Sequence, residues 1–197
     1  MTMTHRPVIV PYRDSWAREF ATLSKYLRGV LGPRAQRIEH IGSTAVPGLA
    51  AKDVIDVQIS MAAWDPVVHD SLAALGFRAI AQITCDHVPP GAPDSADEWR
   101  KWFFVEPLGN RRTNLHVRQA GRLNARYALL FRDYLKAHPR VADAYAELKR
   151  RLSASLAVPD DYADVKDPAV DLIYLAAEQW ASSTGAWHPS NEEHHDH

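Results

Sequence analysis

The stretch His40-Ile41-Gly42-Ser43-Thr44, with Lys52 and Asp56 shortly after it, carries the residue types of an anion site. A strand that runs into Gly42-Ser43 lets the backbone approach a negatively charged group, because glycine has no Cβ to hold it off. Amides at the start of the following turn point toward such a group, and the Ser43 hydroxyl is a further donor. A strand from Asp53 to Ser60 would bring Asp56 beside that anion, where a carboxylate can hold Mg²⁺. Lys52 and the Arg111-Arg112 pair offer positive charge for phosphate. A plain turn with a structural aspartate has the same residues, so both readings stand at this point.

Further candidates lie on the segment Thr113 to Gln119, where Leu115 and Val117 alternate with Asn114, His116 and Arg118. That period of two places the polar set on one face of a strand. His116 there suits a general base, a metal ligand or a phosphate contact, and equally a hydrogen-bonded structural histidine. His40 either orients the glycine turn or packs. Trp99, Trp102 and Phe104 have the rings to stack a base, or to fill a core.

Those residues need a frame. Asp14 is expected to cap a helix through Trp16, Phe20, Leu23, Leu27 and Leu31, ended by Gly29 and Gly32-Pro33. Arg37 to Ile41 and Asp53 to Ser60 read as strands, the second with Ile55, Val57 and Ile59 on one face. Asp65-Pro66 is a cap with proline at the first helical position. Phe77 to Ile83 has the pattern of a strand, and Asp86 to Asp97 that of a flexible loop. Lys101 to Glu106 and Thr113 to Gln119 are joined through Leu108-Gly109-Asn110 as a hairpin. The C-terminal third reads as helical: one stripe from Tyr127 to Tyr134, a break at His138-Pro139, a second stripe from Val141 to Leu156, and a last helix from about Pro168 to Trp180.

Strands early and helices late predict an α+β layer architecture. At 197 residues, 46% hydrophobic and 24% charged, the chain fits one soluble domain. No apolar run reaches the roughly 20 residues of a membrane span, and Met1 to Pro7 lacks a signal peptide's apolar stretch, which makes the cytoplasm the expected location. Cys85 is the only cysteine, so an internal disulfide and a cysteine-cluster metal site are excluded. Residues 1–181 are expected to form the domain and 182–197 a disordered polar tail. Net charge is −1, yet between Arg100 and Arg151 there are 13 Lys/Arg against 4 Asp/Glu. Such an excess marks either an electropositive face or two solvated helices.

Longer motifs carry a family resemblance. Val10-Pro11-Tyr12 with Trp16, Ile38 through Lys52, Leu115-His116-Val117, Phe131 through Pro139, Tyr145 with Leu148-Lys149, and Tyr162 to Lys166 together resemble the GrpB (UPF0157-type) family of the nucleotidyltransferase-like superfamily. The resemblance runs from about Val8 to Trp180. It implies a nucleotidyltransferase-like mixed β-sheet packed with helices, with Gly42, Ser43 and Thr44 as the phosphate loop and Asp56 on the metal-bearing strand.

It also exposes a departure. Active members of the superfamily place two carboxylates one residue apart on that strand, because alternate residues share a face and can clamp metals at a reacting phosphate. Here the partner position is Gln58, and the neighbouring strand offers Asn114, His116 and Arg118. Asp53 points to the other face. What remains is Asp56, with Glu39 and His116, around one metal or none. The resemblance then implies a nucleoside triphosphate with Mg²⁺ at Asp56 and Glu39, and nucleotidyl transfer to a small acceptor assisted by His116; Gln58→Asp is expected to leave such transfer intact or raise it. The alternative is an inactive nucleotide-binding regulatory or folding-assistance module, in keeping with family members appended to dephospho-CoA kinase. RNA binding through residues 100–151 comes last, since no RNA-binding motif accompanies the charge. The nucleotide's base, the acceptor and the oligomeric state stay open.

Overall fold

The computed structural model describes residues 7–155, 162–185 and 187. Five strands, β1 (Arg37–Ile41), β2 (Ile55–Met61), β3 (Arg78–Ala79), β4 (Trp102–Val105) and β5 (Thr113–Gln119), form one sheet in the order β1-β2-β5-β4-β3. Only the β2–β5 pair is parallel. Helices α1 (Ser15–Leu31), α2 (Pro66–Ala74) and the short α3 (Ala96–Trp99) fall among the strands, and α4 (Leu123–Ala137), α5 (Pro139–Ser155) and α6 (Tyr162–Ser183) follow them. The expected α+β class with a mixed sheet and a helical C-terminal part is what forms.

Alternation makes the sheet two-sided. Ile55, Val57, Ile59, Leu115, Val117 and Phe104 pack beneath Trp16, Phe20, Leu27 and Leu31 of α1 and Val68 and Leu72 of α2. Burying these aliphatic and aromatic groups is the main source of stability, at about 25 cal/mol per Å² of apolar surface. On the other face the register aligns Glu39 with Gln58 and His116, and Asp56 with Asn114. This face is polar but largely dry. Gln58, Ser60 and Arg118 are buried, and Gln58 Nε2 donates to the Ala125 carbonyl of α4 at 3.2 Å.

Buried polar groups require partners, and the residue that supplies most of them is Asp86. Arg118 donates to both its oxygens at 2.8 Å, Lys101 to Oδ1 at 2.7 Å and Asn124 to Oδ2 at 3.0 Å. Burial opposes the charge on Asp86, but Arg118 and Lys101 outweigh it and hold its carboxyl far below the ordinary value. The expectation of a flexible loop from Asp86 is therefore corrected at its first residue, which is an anchor.

Other local expectations also shift. Asp65 caps α2 as expected, accepting from Val67 N at 2.9 Å, whereas Asp14 makes no side-chain cap hydrogen bond to α1. Strand character in Phe77–Ile83 survives only at β3, and Val8–Val10 contributes one bridge, Val10 to Ala51. Helix α6 begins six residues before Pro168 and runs to Ser183, two residues into the expected tail. An interior proline costs a helix about 3 kcal/mol; burial of Val170, Tyr174, Ala177 and Ala181 offsets it. The rest of the tail expectation concerns 186 and 188–197, outside the described residues.

Candidate functional site

The network around Asp86 fills most of the polar face and leaves one end open. That end is where β2 and β5, being parallel, both begin, with Asp56 and Asn114 side by side: Asn114 Nδ2 donates to Asp56 Oδ1 at 2.8 Å. Above them β1 ends in Gly42, whose φ of 71° turns the chain into a short 3₁₀ turn, Ser43–Ala45. A Cβ built on Gly42 would meet Asp56 Oδ2 at 2.5 Å. Only glycine permits this approach.

His40 holds the turn from behind. On the apolar face its ring stacks on Phe20 at 4.7 Å, and its Nε2 lies 3.0 Å from Thr44 Oγ1. Thr44 gives its own proton to Val54 O at 3.1 Å, so His40 Nε2–H is the donor to Thr44. Packing and orientation, set as alternatives by the sequence, are both true of this residue.

A cavity of about 210 Å³ opens in front of the turn, walled by Ser43, Thr44, Lys52, Asp56 and Asn114. The C-terminal helices close it with Tyr145 and Lys149 from α5 and Tyr162 and Lys166 from α6. Lys149 is 3% exposed, and its Nζ donates to Ser43 Oγ at 2.9 Å while lying 4.6 Å from the Tyr145 ring centre. Lys52 Nζ sits 4.1 Å over the Tyr162 ring. Burial, then Lys166 and Arg150, push the Lys149 amine down to about 7, against the pull of Asp56. Burial, Lys166 and Arg112 lower Lys52 likewise. Burial pushes the Tyr162 phenol up to about 12, and its buried Oη has no hydrogen-bond partner.

His116 stands beside Asp56, but its Nε2 is 3.8 Å from Asp56 Oδ1, too long for a hydrogen bond. Burial, with Arg118 and Lys101, lowers its pKa against the pull of Asp56, so the ring is neutral at neutral pH. For Asp56, burial opposes the charge, but its polar neighbours, with Asn114 donating to Oδ1 at 2.8 Å, leave the carboxyl below its ordinary value. Although burial opposes a negative charge there, the group is a carboxylate.

Several candidates are not part of the cavity wall. Glu39 points along the same face but one pleat deeper, where Arg37 donates to it at 2.6 Å and Gln58 lies 3.5 Å away. Burial raises its pKa despite Arg37 and Arg132. In the register Asp56 pairs with Ile41 and Glu39 with Gln58, so Glu39 lies diagonal to Asp56 on the same face and is engaged by Arg37. Gln58 is fully buried and accepts from Arg118 at 2.6 Å; its role is in the network. Arg112 is exposed and acts on the site through its charge, while Arg111 is bound to Glu19 and Asp53. Trp99 and Phe104 are core. Much of the basic excess in 100–151 is taken up internally: Lys101 and Arg118 by Asp86, Arg122 by Glu98, Arg126 by Glu178, Arg132 by Asp133.

Sequence reasoning missed Lys149, Lys166, Tyr145 and Tyr162 as wall residues. A signal existed. Tyr145-Ala-Glu-Leu-Lys149 and Tyr162-Ala-Asp-Val-Lys166 are near copies, and i,i+4 spacing sets each tyrosine and lysine on one helix face. A larger cavity of about 480 Å³, between α1 and the β4–β5 loop, is lined by Leu23, Tyr26, Leu75, Phe77 and Pro107. Of its charged residues Glu19 and Arg111 pair with each other and Glu106 accepts from Thr113 N at 3.1 Å, so the chemistry lies at the smaller one.

Among known proteins, a family model described as GrpB protein matches residues 6–175. A dephospho-CoA kinase of Mycolicibacterium paratuberculosis is 37% identical over 92% of this chain and 48% of its own length. A UPF0157 protein of Halalkalibacterium halodurans is 32% identical over 86% of this chain and 81% of its own. The crystal structure of conserved protein GrpB from Enterococcus faecalis superposes with a TM-score of 0.71 at 24% identity, covering 88% of this chain and 99% of that one; this likeness is one of fold. The chain spans about half the length of the dephospho-CoA kinases it matches.

Proposed function

We propose, for a chain that belongs to the GrpB family, that the cavity binds the phosphate groups of a nucleoside triphosphate. The observation that carries this reading is the convergence of Lys52, Lys149 and Lys166 with the Ser43 hydroxyl on one small space. Burial first, and then the neighbouring cations, lower the pKa values of Lys52 and Lys149, which is the cost of holding positive charge in a partly dry cavity. An anion relieves it. A space of about 210 Å³ is smaller than the roughly 300–1,000 Å³ that encloses a whole ligand. Phosphates therefore enter, and the nucleoside stays at the mouth.

The donor set does not suit a metal held by the protein alone. Among the described residues Asp56 is the one carboxylate on the wall, facing three lysines, and no group of three His, Cys, Asp or Glu side chains converges on a metal site. Mg²⁺ is usually held by one or two carboxylates together with substrate phosphates, so on this reading Asp56 would hold it as part of a nucleotide complex. Mg²⁺ so bound would supply charge neutralisation at the phosphates.

A second reading, nucleotidyl transfer to a small acceptor, is favoured by the position of Asp56 against the Gly42 turn. There Asn114 orients the carboxylate, and neutral His116 would take the acceptor's proton. That no second acid stands among the described wall residues favours binding without turnover, and we place that first. Calorimetry with ATP, ADP and pyrophosphate, with and without Mg²⁺, tests the binding. Lys149→Met and Lys166→Ala are each expected to weaken it about tenfold, and failure of wild type to bind any of the three ends the proposal. An α-labelled triphosphate assay with a broad acceptor pool tests transfer, which Asp56→Asn should abolish.

A further inference from the structure

We propose that Ser43 and Lys149 form a nucleophile–base pair, giving the cavity a hydrolytic activity toward small esters that carry a negative charge. The inference does not depend on nucleotide binding. A serine hydroxyl is a weak nucleophile unless a base stands within hydrogen-bond reach, and that base must itself be held in place. Ser43 Oγ and Lys149 Nζ are 2.9 Å apart. The amine is fixed from below by the Tyr145 ring, and the serine by the turn that His40 and Thr44 brace.

Lysine serves as a base only as the free amine. The groups that face Lys149 arrange this: its own burial, Lys166 from α6 and Arg150 beside it favour the neutral form, and Asp56 from β2 is the opposing charge. The phenols of Tyr145 and Tyr162 both titrate above their ordinary range, chiefly through burial, and so remain proton donors. An independent feature lies beside the same space, since Tyr162 is one of its wall residues and its buried Oη has no hydrogen-bond partner.

The step balances as follows. The Ser43 hydroxyl proton passes to the Lys149 amine as Oγ adds to the ester carbonyl carbon, and the carbonyl electron pair moves onto oxygen. The amides opening the 43–45 turn would serve as the donors to that oxyanion. Collapse expels the alkoxide, which takes the proton from the Lys149 ammonium and leaves as the alcohol. Water then attacks the acyl-serine with Lys149 again accepting a proton, and returns Ser43 and a free acid. Lys52 and Lys166 select esters whose acyl part bears a carboxylate or phosphate.

The test uses the full chain with a fluorophosphonate probe, followed by peptide mass spectrometry, and with two chromogenic esters, 4-nitrophenyl acetate and the mono-4-nitrophenyl ester of succinic acid. The expected result is a single adduct on Ser43. Its rate should climb as pH rises through about 7, because deprotonated Lys149 is the active form, and the anionic ester should be preferred. Ser43→Ala should give no adduct. Lys149→Met and Lys149→Arg should slow labelling about 100-fold; arginine keeps the charge but cannot act as base. Should either variant fail to fold, the wild-type pH profile and adduct site decide. No Ser43 adduct in the wild type, a flat pH profile, or equal labelling in a folded Lys149→Arg would overturn the proposal. Nucleotide binding without labelling removes the pair and keeps the phosphate site; labelling without nucleotide binding does the reverse.

Discussion

A Cβ on Gly42 would stand 2.5 Å from Asp56 Oδ2, so the turn at the end of β1 and the carboxylate at the start of β2 are fitted to each other. The conformation at Gly42, φ 71°, is itself closed to most side chains. Gly42→Val should therefore lower stability by about 2 kcal/mol or more through backbone strain and displacement of Asp56. It should also weaken triphosphate binding more than Lys52→Ala, which removes one partly screened cation. Urea unfolding and calorimetry on both variants measure this, and equal binding by wild type and Gly42→Val would place the phosphate elsewhere.

Asp86 gives a pH signature. Its carboxyl is held below the ordinary value in the folded state, so its contribution is complete above the unfolded pKa of about 4 and is lost as pH falls below that toward the folded value. Asp86→Ala leaves Arg118 and Lys101 buried without their counter-charge and should cost about 3–5 kcal/mol at neutral pH. The variant should also lose stability less steeply than wild type between pH 4 and 2.5. Parallel slopes in urea titrations across that range would show that Asp86 is not the group responsible.

Gln58→Asp reverses an expectation drawn from sequence. The side chain is buried, accepts from Arg118 and donates to Ala125 O, and Glu39 is its near neighbour. A shorter, charged side chain leaves Ala125 O without its donor and sets two acids together, at about 1–3 kcal/mol for the unpaired group alone. The variant should be less stable and no better at binding Mg²⁺-nucleotide. Stability equal to wild type, or tighter Mg²⁺-dependent binding, would contradict that placement.

Tyr162→Phe separates stability from function. Its Oη is buried without a partner, and an unsatisfied buried hydroxyl costs about 1–3 kcal/mol. Removing it should raise the melting temperature and, since Tyr162 is a wall residue of the cavity, weaken nucleotide binding. A lower melting temperature together with unchanged affinity would refute the assignment.

Alternation placed β5 from Thr113 to Gln119 and put Asp56 with Gln58 on one face of β2 and Asn114 with His116 on one face of β5; that these faces coincide rests on the pairing of β2 with β5. Asp65-Pro66 announced α2, and His138-Pro139 the break between α4 and α5. These are local properties, set by backbone sterics and by side-chain periods that two or three neighbouring residues reveal. The same alternation says nothing of what covers a face. A polar strand face looks alike whether it meets water or, as here, a helix and a carboxylate from a proline-rich loop, so Asp86 was hidden. Nor does helical periodicity state which way a helix packs. Lys149 and Ser43 are separated by 106 residues, and only the docking of α5 and α6 over the open end of the sheet brings the lysines to the serine. That docking follows from burying Tyr145, Ala146, Val170 and Tyr174 against the rest of the core, a choice made by long-range hydrophobic contact rather than by any residue near the turn.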